Sequence, residues 1–136
     1  MTFKRIAVIG AGTMGSGIAG QIANAGHKVL LLDLTSKATE YALERLQKSE
    51  PAPLHQRSNI TLIETGTIDA DFHKLADCDW IVEAVVERLD IKRDLYKRLD
   101  TVISDNCVVT SNTSTIPIKL LVAEMPLAFR KRFAIT

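Results

Sequence analysis

The chain has 136 residues, of which 46% are hydrophobic and 24% are charged, and its formal net charge is +1. This length and composition are typical of one globular domain with a sizeable core. A net charge so close to zero creates no field that would attract nucleic acid, so nucleic acid is not an expected partner.

The cysteine pattern argues against a disulfide scaffold and against a metal site. Cys78 and Cys107 have neither a CxxC spacing nor histidines at ligand spacing. We therefore expect no metal, and two reduced thiols as in the cytoplasm. The sequence has no signal-peptide pattern and no apolar run near the roughly 18 residues of a membrane span, so no membrane association is expected.

The first half of the chain alternates short apolar runs with helical patterns. The apolar runs predict strands at residues 5–9, 28–33 and 59–63. A helix is predicted over residues 13–25, where apolar side chains recur at helical spacing at Met14, Ile18, Ile22 and Ala25. Gly26 then stands where a glycine commonly ends a helix, and a second helix is predicted over residues 37–48 with Ser36 as its N-cap.

The second half continues the alternation. Strands are predicted at residues 80–85, 107–111 and 132–136, and short helices at residues 69–76 and, after a turn at Pro117, 118–123. The clearest helix follows the fourth strand and has an apolar stripe made of Ile91, Leu95, Leu99, Val102 and Ile103. This stripe predicts an outer, solvated face made of Lys92, Arg93, Asp94 and Lys97.

Continuous apolar strands, separated by helices, are typical of a parallel sheet that is buried on both faces. Parallel strands are joined by right-handed crossovers, which place the helices on those faces. The prediction is a single α/β domain with a Rossmann-type, doubly wound sheet of six strands in the order 3-2-1-4-5-6.

Three glycines in "GAGTMG" follow the first predicted strand and open the first predicted helix. Gly10 permits a tight turn, Gly12 removes a Cβ that would strike a diphosphate, and Gly15 allows close packing of helix on strand. The amide groups at the helix N-terminus then face the diphosphate. The pattern predicts dinucleotide binding, with a purely structural turn as the alternative.

Asp33 ends the second predicted strand, where an acidic side chain can accept hydrogen bonds from both ribose hydroxyls of NAD. A 2′-phosphate at about 4 Å would cost roughly 1 to 4 kcal/mol through like-charge repulsion. The sequence therefore favours NAD over NADP. An acidic residue in this place also holds the ribose of S-adenosylmethionine in methyltransferases, usually beside a different glycine spacing.

Polar side chains follow the fourth and fifth predicted strands at the same edge of the sheet. Glu87 and Lys92 follow the fourth, and Ser111, Asn112, Thr113 and Ser114 follow the fifth. Glu83 lies within its strand, where it could be a buried structural carboxylate. The histidines, which are the usual general bases of hydride transfer, are expected on exposed loops, at His27, His55 and His73.

The stretches "AVIGAGTMGSGIA", "DWIVEAVVERLDIKRDLYKRLD" and "SNTSTIPI" closely resemble the N-terminal NAD-binding domain of 3-hydroxyacyl-CoA dehydrogenases. Residues 50–79 resemble most the bacterial members that are fused to an enoyl-CoA hydratase. The resemblance implies NAD-dependent oxidation of an L-3-hydroxyacyl-CoA to a 3-ketoacyl-CoA in fatty-acid β-oxidation, with an acyl-CoA as substrate.

The resemblance also implies residue roles. The diphosphate would lie against the loop made of Gly10, Ala11, Gly12, Thr13, Met14 and Gly15, and the adenosine ribose on Asp33. Glu87 and Lys92 would contact the nicotinamide half of the cofactor. Ser114 would be a catalytic residue that hydrogen-bonds near the substrate oxygen and the catalytic histidine, and Asn112 would support it.

The chain departs from the family pattern in two places. Residues 51–58 are shorter than the helical hairpin with which two-domain members grip coenzyme A. The "HFFNP" motif, whose histidine is the base, would begin immediately after Thr136. The C-terminal helical domain, which closes over substrate and forms a homodimer in the family, would follow it. We therefore expect this chain to bind NAD(H) without turning over acetoacetyl-CoA.

Two rival interpretations stay open at this point. The chain could be a stand-alone NAD(H)-binding sensor or structural module. It could also come from a related NAD enzyme, such as a hydroxyisobutyrate or glycerol-phosphate dehydrogenase, which shares the glycine loop but not the paired "EAVVE" and "SNTS" motifs.

Overall fold

The computed structural model describes residues 4–48, 54 and 57–135, and within them the strands form one parallel sheet. The strands are β1 (Ile6–Ile9), β2 (Val29–Asp33), β3 (Ile63–Thr67), β4 (Trp80–Glu83), β5 (Val108–Ser111) and β6 (Phe133–Ile135). The helices are α1 (Thr13–Asn24), α2 (Ser36–Lys48), α3 (Ile68–Asp71), α4 (Leu89–Asp100), α5 (Ile118–Leu121) and α6 (Leu127–Arg130), with 3₁₀ helices at Arg57–Leu62 and Phe72–Asp77.

The strand order is β3-β2-β1-β4-β5-β6, which confirms the predicted topology. Ile9 at the end of β1 lies opposite Leu32 of β2 and Glu83 of β4, so these strands end at the same edge. The chain leaves β1 in one direction across the sheet and β4 in the other. A crevice therefore opens between the ends of β1 and β4, where ligands of such sheets bind.

The sheet is buried on both faces by helices, as its continuous apolar strands predict. Ile6 and Val8 of β1 pack under α1 and α2, whereas Ala7 and Ile9 pack under α4. Each buried side chain the size of Val8 or Ile9 contributes roughly 1.5–3 kcal/mol to stability relative to an exposed one.

The buried face of α1 consists mainly of small residues. Gly15, Ser16, Ala19, Gly20 and Ala23 face the core. Of the predicted stripe, only Ile22 is buried, and Met14 is 61% exposed. The predicted helix is confirmed, but its apolar spacing does not mark the buried face. Small side chains let a helix approach a sheet closely, whereas the bulky residues of α1 line an open groove beside Trp80.

The third strand lies four residues later than predicted. Residues 57–62 form a 3₁₀ helix, and β3 runs from Ile63 to Thr67. β3 is an edge strand in which only Ile63 is fully buried, and its other residues are Glu64, Thr65, Gly66 and Thr67. Such a strand has no apolar run, so the search for one selected the preceding "NITLI" instead.

Helix termini confirm one prediction and correct another. Gly26 has a φ of +86° and ends α1, as predicted. The N-cap of α2 is Thr35 and not Ser36, because the Thr35 hydroxyl accepts a hydrogen bond from the Ala38 N–H at 3.2 Å. Ser36 is instead the first residue of the helix.

The two cysteines are free and buried, as predicted. Burial raises the pKa of the Cys78 thiol to about 11 and that of Cys107 to about 12, so neither is a reactive thiolate at neutral pH. The described residues contain no helix with the length and hydrophobicity that a membrane span requires.

We predict that Gly15→Ala lowers the free energy of unfolding by about 3 kcal/mol or more, because its Cβ would meet main chain. A Cβ built on Gly15 lies 1.7 Å from the Gly10 carbonyl oxygen, whereas one on Gly17 of the same helix meets nothing within 4 Å. Gly17→Ala is therefore the matched control, and it should stabilise the helix by about 0.5–1 kcal/mol. Urea denaturation of both variants tests this, and equal stabilities would contradict it.

Candidate functional site

The glycine loop is shaped by two close backbone approaches. Gly10 has a φ of +109°, and a Cβ there would lie 2.3 Å from the Ala84 carbonyl oxygen. The Cβ of any other residue at Gly15 would strike the Gly10 carbonyl. The predicted roles of Gly10 in the turn and Gly15 in close packing are therefore confirmed. Both glycines bring the start of α1 against β4.

The N-terminus of α1 is open and has no side-chain cap. Gly12 is the N-cap residue, no side chain caps the first turn, and this turn has no acidic residue. A Cβ on Gly12 would meet nothing within 4 Å, and Gly12, Thr13 and Met14 are exposed. The first amide groups of a helix lack intrahelical acceptors, and the helix dipole is positive there. This end of α1 is a ready-made place for an anionic group.

A cleft of about 590 Å³ lies beside the open end of α1. Gly10, Gly12, Thr13 and Met14 form one side of it, and Asp33 and Leu34 follow from β2. The rest of the lining comes from Ile68, from the segment after β4 and from α4, with Ala84, Val85, Val86, Ile91, Asp94, Leu95 and Arg98. Leu34 is 73% exposed and Val86 59%, so the cleft has apolar walls that no described side chain covers.

The Asp33 carboxylate is held at the edge of this cleft by two backbone amides. Its Oδ2 accepts from the Ala11 N–H at 2.7 Å, and its Oδ1 from the Leu34 N–H at 2.6 Å. Both oxygens are thus oriented, and each retains a lone pair for a further donor. The structure brings Asp33 next to the glycine loop, as the sequence predicts for a ribose-binding carboxylate.

A second pocket of about 470 Å³ continues from the cleft. It shares Met14, Ala84 and Val85 with the cleft, and Glu87 and residues 112–114 form its far side. The ends of β4 and β5 therefore meet at one rim, as predicted. The Asn112 N–H donates to the Glu83 carbonyl at 2.8 Å and fixes the start of the loop after β5.

Glu87 organises the far side of the second pocket. It accepts hydrogen bonds from the Thr113 hydroxyl at 2.6 Å and the Ser114 N–H at 3.1 Å, and Lys92 Nζ lies 3.4 Å away. The Thr113 hydrogen bond is the largest of the causes that lower the pKa of Glu87 to about 2. Glu87 is therefore an anion at neutral pH and holds Ser114 at the pocket.

Beneath Glu87 lies a buried polar cluster centred on the Glu83 carboxylate. Glu83 accepts from Lys92 Nζ at 2.6 Å, from the Ser111 hydroxyl at 2.6 Å and from the Val85 N–H at 3.1 Å. The Tyr96 hydroxyl donates to the same carboxylate. Burial of a carboxylate destabilises a fold unless a counter-charge and several donors satisfy it, and Glu83 has both.

Lys92 is therefore buried, and its predicted place on the outer face of the helix was wrong. The side chains of Lys92 and Glu83 are both 0% exposed, whereas Ile91, predicted inside, is 37% exposed and lines the cleft. Lys92 does not line the second pocket, but it contacts Glu87, which does. Its predicted contact with a cofactor stays a prediction.

Two further residues of the site were not found from the sequence. Tyr96 is four residues after Lys92 on α4, so the two lie on one face of the helix. Burial, together with the charge of Glu83, raises the pKa of Tyr96 far above its ordinary value, and its hydroxyl stays a proton donor. Arg98 stacks its guanidinium on Phe72, with 4.5 Å to the ring centroid, and lines the cleft.

The histidines in the described part of the chain are not in the cleft or the second pocket. His27 precedes β2 and lies at the opposite end of the sheet, and His73 is exposed in a 3₁₀ helix. His55 lies outside the described residues. Among the described residues, no group of three His, Cys, Asp or Glu side chains could hold a metal ion.

Comparison with known proteins agrees with this geometry. Residues 5–135 match the family described as 3-hydroxyacyl-CoA dehydrogenase, NAD binding domain. A Rickettsia felis protein named a fatty acid oxidation complex trifunctional enzyme is 39% identical over 140 residues, covering 98% of this chain and 19% of its own length. A Deinococcus radiodurans protein named a 3-hydroxyacyl-CoA dehydrogenase is also 39% identical, covering 98% of this chain and 40% of its own.

Solved structures show the same relationship. The crystal structure of 3-hydroxybutyryl-CoA dehydrogenase from Escherichia coli superposes with a TM-score of 0.83 at 31% identity, over 99% of this chain and 29% of that one. The chain thus spans well under half of the length of these relatives.

We predict that Lys92→Met lowers the free energy of unfolding by about 3–5 kcal/mol, because it leaves the buried Glu83 carboxylate without a counter-charge. Lys97→Met on the same helix is the control, since Lys97 is 53% exposed and pairs with Glu124 at the surface. It should change stability by less than about 1 kcal/mol. The double variant Glu83→Gln/Lys92→Met should be more stable than Lys92→Met alone. Urea denaturation measures the free energy of unfolding of all three variants. An unchanged value for Lys92→Met would contradict the role of Lys92 as the counter-charge of Glu83.

Proposed function

Because the chain belongs to the NAD-binding domain family of the 3-hydroxyacyl-CoA dehydrogenases, we propose that it holds NAD along the edge of the sheet where β1 and β4 end. The single observation that carries the proposal is the uncapped N-terminus of α1 beside the cleft. The diphosphate would lie there, against the loop from Gly10 to Gly15. The open space at Gly12 leaves room for it.

The adenosine half would lie on the β2 side of the diphosphate. Asp33 would accept hydrogen bonds from both ribose hydroxyls, since both of its oxygens are already oriented by backbone amides. The adenine ring would fill the apolar part of the cleft between Leu34 and Ile91, beside the Arg98 guanidinium. A 2′-phosphate would meet the Asp33 charge, which favours NAD over NADP.

The nicotinamide half would reach the second pocket past Met14. Glu87 and Ser114 would contact it, with Ser114 held by its N–H on Glu87. Lys92 would act through Glu87, which it approaches from the buried side. Asn112 and Thr113 would shape the rim on which the substrate oxygen lies.

For a full-length protein, the reaction we propose is the oxidation of an L-3-hydroxyacyl-CoA to a 3-ketoacyl-CoA in fatty-acid oxidation. Bound NAD supplies the hydride acceptor, and Ser114 would orient the hydroxyl that loses its proton. A base must take that proton, and neither His27 nor His73 lies near the site. The resemblance assigns this role to a histidine after the sixth strand, and substrate closure and dimerisation to a following helical domain.

We predict that Asp33→Asn raises the Kd for NADH about tenfold, because charge-assisted hydrogen bonds to the ribose are lost. The same change should bring the Kd values for NADH and NADPH closer together, since the Asp33 carboxylate no longer repels the 2′-phosphate of NADPH. Asp105→Asn, an exposed aspartate before β5, is the control and should leave both constants within about twofold. Calorimetric titration of the chain measures these constants. Equal binding of NADH and NADPH to the unaltered chain would contradict the role of Asp33.

We also predict that the 136-residue chain binds NADH without oxidising it in the presence of acetoacetyl-CoA, because no described histidine lies near the second pocket. The loss of NADH absorbance over time measures turnover, and a fluorescence titration of the same sample confirms binding. Oxidation above the rate in buffer would show that a base is present within this chain. Absence of both binding and turnover would contradict the proposed cofactor site itself.

A further inference from the structure

Arg45 of α2 extends across to the glycine loop and the first turn of α1. Its Nη2 donates to the Ala11 carbonyl at 3.0 Å and to the Ser16 hydroxyl at 3.1 Å. Its Nη1 donates to the Thr13 hydroxyl at 3.2 Å. One guanidinium therefore holds the loop and the start of the helix together from the side of α2.

Close packing of the two helices brings Arg45 to this position. Ala42 of α2 is fully buried, and a Cβ on Gly20 of α1 would lie 3.0 Å from a methyl group of Leu46. The Tyr41 ring lies under the guanidinium, with 5.1 Å from its centre to the ring centroid. Small residues at the contact between the helices thus bring α2 close enough for Arg45 to reach the glycine loop.

Packing alone does not account for an arginine at position 45. Its Nε is buried and has no hydrogen-bond partner, and burial of an unpartnered donor destabilises a fold. The guanidinium also forms no ion pair, since no carboxylate of the described residues lies within 4.0 Å of it. Its partners are a carbonyl, two hydroxyls and a ring face. A free positive charge thus lies beside the end of a helix that already attracts anions.

The Ala11 peptide groups connect this charge to the ribose carboxylate. The Ala11 N–H donates to Asp33 and the Ala11 carbonyl accepts from Arg45. A hydrogen bond to a carbonyl polarises the N–H of the same peptide group, which here belongs to Gly12, the N-cap of α1. Arg45 therefore polarises the Gly12 N–H at the N-terminus of α1, although Arg45 does not line the cleft.

We propose that Arg45 is a positioning residue that strengthens binding of the diphosphate of a dinucleotide. It does so through its charge behind the N-terminus of α1 and through its hold on the Ala11 carbonyl. The inference rests on the placement of the diphosphate proposed above. It goes beyond that placement because Arg45 does not itself line the cleft.

The test compares Arg45→Gln, Arg45→Lys and the control Lys48→Gln in the 136-residue chain. Lys48 lies on the same helix and is 72% exposed, so Lys48→Gln removes the same charge at a distance from the loop. Kd values for NADH, ADP and adenosine are measured by fluorescence titration and competition at 50 mM and 500 mM NaCl. Thermal unfolding and the amide NMR spectrum of each variant report whether it is folded.

We expect Arg45→Gln to raise the Kd values for NADH and ADP about three- to tenfold at 50 mM NaCl. The Kd for adenosine, which has no diphosphate, should stay within about twofold of its value for the unaltered chain. The difference in these Kd values between Arg45→Gln and the unaltered chain should shrink at 500 mM NaCl, because salt then screens charges over a few ångströms. Arg45→Lys keeps the charge but not the fork of donors, so it should recover part of the affinity. If Arg45→Gln does not fold, Arg45→Met takes its place as the variant without the charge. The control Lys48→Gln should have the same Kd values for all three ligands as the unaltered chain.

Two results would overturn the inference. One is unchanged NADH and ADP binding in a folded variant that lacks the charge, Arg45→Gln or Arg45→Met. The other is an equal loss for adenosine, because a merely structural role would weaken all three ligands alike. Failure of the unaltered chain to bind NADH would instead contradict the proposed cofactor site, so the two failures are distinguishable.

Discussion

The close approach of three backbone segments at the end of β1 is the constraint on which the site depends. Gly15 packs on the Gly10 carbonyl, and Gly10 packs on the Ala84 carbonyl, at distances that exclude a Cβ at either glycine. These contacts place the first turn of α1 between the ends of β1 and β4, so its free amides open onto the cleft. This side of the cleft is consequently made largely of main chain, with Gly12 contributing no side chain. Any ligand that binds there must be an acceptor, and an anion best of all.

The other end of the site is built from buried side chains instead. Glu83 lies at the centre of a cluster in which Lys92, Tyr96 and Ser111 all donate to one carboxylate. Such a cluster defines a unique arrangement because every member must be satisfied at once. Through Lys92 it supports Glu87, which in turn holds the loop after β5. The cleft is thus anchored by backbone contacts at one end and by a buried charge pair at the other.

The topology could be predicted because a buried parallel strand is a local signal. Strands such as β1 and β2 are continuous apolar runs, and their order follows from the crossovers. β3 was misplaced because an edge strand buries little and carries polar residues. Apolar spacing located α1 but did not identify its buried face for a related reason: the periodic residues include the exposed Met14, whereas the residues against the sheet include Ala19 and Gly20. Periodicity records hydrophobicity and not the distance at which two elements pack.

The sequence by itself determined the class of fold, the glycine turn and the carboxylate of Asp33, because each depends on residues that are neighbours along the chain or on the conformation of a single residue. Only the tertiary structure decided that Lys92 is buried and Ile91 exposed, although Leu95 and Leu99 of the same stripe are buried as predicted. It also decided that Arg45 reaches Ala11. These arrangements depend on partners from different elements, and a charge enters the core only where another element supplies its counter-charge. No spacing within α2 or α4 contains that information.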